Sequence, residues 1–130
     1  MKDVDGASRL IVELASLLIR EMQATGKPWK KAFLRSEFAD GVQTQKGSFV
    51  IGEVVYLFDV LKHKAMFSSV HEIARQLREA SATEEKRFCV ALLVVDSNFN
   101  YEVQYEYDDA GRWAISKLGG GSGIPGGYAA

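Results

Sequence analysis

The sequence predicts an α+β domain, an antiparallel sheet of about five to six strands with an N-terminal and a central helix packed on one face. Three observations carry that expectation. Two segments, residues 7–24 and 70–81, repeat apolar side chains at helical spacing. Between and after them lie short β-branched and aromatic runs separated by turn residues. Residues 99–109, FNYEVQYEYDD, then place Tyr101, Val103, Tyr105 and Tyr107 in strict alternation with Glu102, Gln104, Glu106 and Asp108. Successive side chains of a strand leave opposite faces, so this last run has one face for a core and one for water or a partner.

Element by element, Leu10, Leu14, Leu17, Leu18 and Met22 fall on one side of the first helix, with Ser8 as the expected N-cap and TGKP at 25–28 as the stop. WKKAFLRSEFA follows without helical period, and Asp40-Gly41 is a hairpin signal that calls for a strand on each side. Residues 48–60 are β-branched and aromatic, with Gly52 marking a bulge or turn. Ser69 and Glu72 have capping-box spacing, followed by the stripe Val70, Ile73, Ala74 and Leu77, which predicts a helix over 70–81. Residues 88–95 form a continuous apolar run suited to a strand covered on both faces. A turn at 96–98 leads into the alternating strand, and DDAGR turns the chain again into WAIS, read as one more strand. The side of the alternating strand that carries Tyr101, Val103, Tyr105 and Tyr107 should meet Leu14, Leu17, Ile73 and Leu77. The segment 118–130, with six glycines, is expected to be a flexible or loosely docked tail, leaving residues 1–117 as a single domain.

At 130 residues, 47% hydrophobic and 25% charged, the chain has the size and composition of one globular domain. Its net charge of −1 argues against a general nucleic-acid binder, which needs an excess of Lys and Arg to neutralise phosphates. No apolar run approaches the roughly 20 residues that span a bilayer, and MKDVDGASRL is acidic rather than signal-like, so a cytoplasmic protein without a membrane partner is expected. The one cysteine, Cys89, lies within an apolar strand and reads as a small buried hydrophobe.

The residues offer little for catalysis. His63 and His71 have no ligand-pair spacing with each other or with Cys89, so neither metal nor cofactor is expected. His71 is placed in the exposed first turn of its helix and His63 in a basic loop. GGGSGIPGG lacks the Lys-Ser/Thr of a phosphate loop, and Ser116 has no glycine elbow. The carboxylate pairs Glu84/Glu85 and Asp108/Asp109 are adjacent in sequence and point apart.

What remains is a segregation of charge. Residues 96–112 carry five carboxylates, Asp96, Glu102, Glu106, Asp108 and Asp109, against one cation, Arg112. Residues 27–35 carry Lys27, Lys30, Lys31 and Arg35 and no acid. An acidic face steers and pairs with a basic partner. It serves equally as a solvated, edge-protecting surface.

The segment CVALLVVDSNFNYEVQYEYDDAGRW, an aliphatic strand, a polar turn and an F-x-Y-x-x-x-Y-x-Y-D strand, resembles the YezG-like family of immunity proteins, antitoxins to secreted polymorphic toxins. The amphipathic first helix followed by KPWKKAFLRSEF fits the same layout. The short second helix and the glycine-rich end depart from it. The resemblance implies a cytosolic, non-catalytic inhibitor of one cognate toxin, a nuclease in many cases. Joined to the charge pattern, it makes Glu102, Gln104, Glu106, Asp108, Asp109 and Arg112 the candidate toxin contacts on a monomer or weak dimer. A secretion chaperone is the alternative, disfavoured by the glycine-rich end, and a small α+β enzyme is the third reading.

Overall fold

A computed structural model describes residues 3–130. Helix α1, Val4–Gln23, starts at Asp3, whose carboxylate accepts the Gly6 N–H at 2.9 Å, not at Ser8 as the spacing predicts. Gly6 makes this cap possible, because a Cβ there would stand 2.2 Å from the Asp3 carboxylate. Leu10, Leu14, Leu18 and Met22 are buried along one side of the helix.

Strands β1, Trp29–Ala39, and β2, Val42–Ile51, form a hairpin through Asp40 and Gly41, with φ of 54° and 74°. Positive φ at both central residues gives a turn whose twist matches that of the strands, and the expected hairpin is found. Gly52 proves to be a turn residue, at φ 63°, returning the chain as β3, Val54–Leu57, in register Ile51 to Val54. Helix α2, Lys64–Ala80, corrects the predicted boundary. It begins six residues before Val70, and Ser69 lies inside it rather than at its cap. The buried stripe starts at Met66 and Phe67 and continues through Val70, Ala74 and Leu77. Glu72 turns to Arg75 and Gln76 on the exposed face instead of back to the cap.

Strands β4, Val90–Asp96, and β5, Tyr101–Glu106, complete a five-stranded antiparallel sheet in the order β3-β2-β1-β4-β5, with both helices on one side. This is the predicted α+β fold. Alternate residues of β4 enter different cores: Ala91 and Leu93 meet the helices, while Val90, Leu92 and Val94 join Phe33 and Val50 on the far face.

The far face holds two corrections. WAIS is not a strand; Trp113 and Ile115 are buried anchors of an irregular segment that closes the second core. Residues 118–130 do not hang free. Ile124 and Tyr128 pack on the same face, Pro125 is fully buried, and the Tyr128 ring meets Phe33 edge-on at 5.8 Å. Each large side chain removed from water in this way contributes about 2 kcal/mol, enough to offset the ordering of a glycine-rich chain over a few residues. Arg35, 5% exposed, sits on this face of β1. It donates to the carbonyls of Ala110 at 2.5 Å and Arg112 at 2.9 Å, and to the Glu37 carboxylate at 2.6 Å.

Candidate functional site

β5 is an edge of the sheet, and its alternation has the predicted register. Val103 and Tyr105 pack toward the helix-side core, and the Tyr105 ring lies flat on Phe88 at 4.8 Å and 3°. Tyr101 and Tyr107, expected to face Leu14, Leu17, Ile73 and Leu77, remain 47% and 38% exposed.

The β4–β5 connection adds a third exposed aromatic. Asp96 accepts the N–H groups of Asn98 and Asn100 and the Asn100 side-chain amide, which fixes the turn. Closing it requires a left-handed residue, and that residue is Phe99, at φ 67° and 55% exposed. Asn or Gly would hold this conformation at less cost, of order 1 kcal/mol or more for a bulky side chain. A strained aromatic directed into water is the clearest departure from local preference on this edge. Sequence pattern alone gives Phe99 no role; its place where a turn favours Gly or Asn is the signal that marks it.

The six candidate contacts divide. Glu106, expected on the outer face, is occupied internally. Its carboxylate accepts the N–H groups of Tyr107, Asp108 and Asp109, and the Arg112 guanidinium at 2.7 Å. The Arg112 bond and the Asp108 and Asp109 N–H groups hold its pKa down at about 2. Arg112 also stacks on Trp113, 4.5 Å from the ring centroid. Gln104 donates to the Tyr128 hydroxyl, so the outer face of β5 is partly covered by residues 124–128 and is not the open surface the alternation suggested. Asp109 is exposed but accepts the Gly111 N–H at 2.9 Å. Glu102 and Asp108 are exposed beside the aromatic residues. The edge thus presents Phe99, Tyr101 and Tyr107 with Glu102, Asp108 and Asp109.

The other singled-out groups lie elsewhere. His63, placed by sequence in a loop, flanks the start of α2, where its Nδ1 stands 2.5 Å from the Glu21 carboxylate of α1 and its ring meets Phe58 edge-on. His71 is in the third turn of α2 rather than the first, and its carbonyl accepts the Gln43 amide. Burial first, and then the Glu106 carboxylate, push the half-buried Cys89 thiol up, which disfavours the reactive thiolate. The basic run is dispersed: Lys27 and Lys30 are exposed, Lys31 reaches the Ala129 carbonyl at 3.3 Å, and Arg35 is buried. Among the described residues no three His, Cys, Asp or Glu side chains converge as metal ligands, and no helix is long and apolar enough to cross a membrane.

No protein-family model matches the chain, and no curated protein matches it. The resemblance to YezG-like immunity proteins therefore rests on the residues that carry it.

Proposed function

We propose that this chain is an immunity protein of the cytoplasm that binds a toxic nuclease domain and blocks it, using the β5 edge and the turn before it as the contact surface. The observation that carries the reading is the exposure of Phe99, Tyr101 and Tyr107 among Glu102, Asp108 and Asp109, with Phe99 held in a left-handed conformation. Aromatic anchors ringed by charge are the residue types that concentrate binding energy at protein interfaces, and carboxylates suit a partner whose active site is basic. Glu106, Gln104 and Arg112 support this surface from behind by fixing the turn and the C-terminal segment, and do not act as steering charges.

The test is co-expression with the toxic domain encoded beside this chain, together with association kinetics at two salt concentrations. Wild-type protein should restore growth. The double change Glu102→Lys and Asp108→Lys should slow association and flatten its salt dependence without unfolding the protein, because both side chains are exposed. Protection with unaltered kinetics would place the contact elsewhere and sink this assignment.

A further inference from the structure

β2 spans ten residues but β3 pairs with only its last four, Ser48–Ile51. One more bond, from the Phe58 N–H to the Gly47 carbonyl at 2.9 Å, prolongs the contact before the chain turns away into α2. A notch of about 320 Å³ opens where β3 ends, between the first turn of α2 and residues 115–118. Phe58, Phe67 and Ile115, all buried, line it, and Leu57, Val60 and Leu118 stand exposed at its rim. Three separate segments thus converge with apolar side chains in water.

The polar groups of the notch share a sign. Lys46 and Lys117 line it, and no carboxylate does. Lys117 is tethered through a bond from its ammonium to the Val55 carbonyl, while Lys46 enters none of the ion pairs among the described residues. Asp59, on the adjoining loop, is engaged by the Leu61 N–H at 2.9 Å. Gln45, also on the wall, has a buried amide nitrogen without an acceptor among the described residues. An apolar cavity with cations at the mouth describes a site for an anion with a hydrocarbon body.

We infer that this notch binds a free medium-chain alkyl carboxylate, its tail among Phe58, Phe67 and Ile115 and its headgroup at Lys46 and Lys117. The volume is at the lower end for ligand cavities, which suits one short chain rather than a two-chain lipid. The inference is independent of the β5 edge, which lies at the opposite side of the sheet.

The experiment is titration of the folded chain with monomeric decanoate, followed by amide resonances in NMR, with decanol as the uncharged comparison. Saturable shifts at Gln45, Phe67 and Ile115 are expected, with decanoate binding about tenfold more tightly than decanol. Lys46→Glu should weaken decanoate about tenfold and leave decanol unchanged. Val60→Trp should obstruct the mouth, and its melting curve should stay near wild type because Val60 is exposed. Absence of saturable shifts would overturn the assignment, as would equal affinity for decanol. The same resonances shifting with protein concentration alone would make a second copy the occupant. Binding only to phosphatidylglycerol vesicles would make it a lipid surface.

Discussion

Arg35 and Ala110 are 75 residues apart in sequence and are joined by a 2.5 Å hydrogen bond from the guanidinium to the carbonyl. With the bond to Arg112 and the contact to Glu37, the side chain fixes the start of the segment that covers the far face. Truncating Arg35 to Ala strands two carbonyls and a carboxylate at once, and about 3 kcal/mol should be lost in urea unfolding. Lys should not restore it, because an ammonium cannot reproduce the forked geometry. A lysine variant as stable as wild type would show that charge alone holds the segment.

Glu106 should make this attachment sensitive to acid. Its carboxyl titrates at about 2 in the folded protein, below the roughly 4.3 of an unperturbed glutamate. A depressed folded value means that the stabilisation is complete above the unfolded value and drains away as pH falls from about 4 toward 2. The Trp113 fluorescence of a Trp29→Phe background should follow that fall, and Glu106→Gln should flatten it. Glu72, also held at about 2 by Arg75 and Gln76, titrates in the same window, so the difference between the two curves isolates Glu106.

Tyr105 lies on Phe88 ring to ring and is half-buried. Its replacement by Ala should cost about 2 kcal/mol, less than a fully buried aromatic, and calorimetry will measure it. The same truncation at Tyr101, which is largely exposed, should leave the melting temperature almost unchanged.

Phe99→Asn should have opposite effects on two measurements. Relieving the left-handed phenylalanine should raise folding stability by about 1 kcal/mol. If the β5 edge is the toxin surface, dissociation from the toxin should accelerate in the same variant. A stabilised protein with unchanged toxin kinetics would reduce Phe99 to a tolerated irregularity.

The sheet was legible because period-two alternation, the Asp40-Gly41 turn and the apolar run at 88–95 each encode a local geometry. The C-terminal segment was not, because glycine content reports backbone freedom and says nothing of a few anchors in contact with a distant surface. Yet β4 is apolar on both faces, and two helices on one side can cover only one of them. That demand for a second cover is met in the structure by Trp113 and Ile115, and then by Ile124 and Tyr128. The capping-box spacing at Ser69 misled because Met66 and Phe67 extend the same stripe one turn earlier, and burial of that stripe decides where the helix starts. For the candidate contacts, alternation assigned faces correctly but could not show that Arg112 and Tyr128 would return to occupy Glu106 and Gln104.

The cover of the far face follows all five strands in chain order. During synthesis, Phe33, Val50 and Leu92 can therefore pair within a sheet whose helix side is finished while their own side still faces water. A chain whose strands have paired before the residues beyond Trp113 dock has one covered core and one apolar face in water. A nick or premature stop between β5 and Trp113 would leave the sheet in that half-closed stage, and its first symptom would be self-association, ahead of any loss of helix.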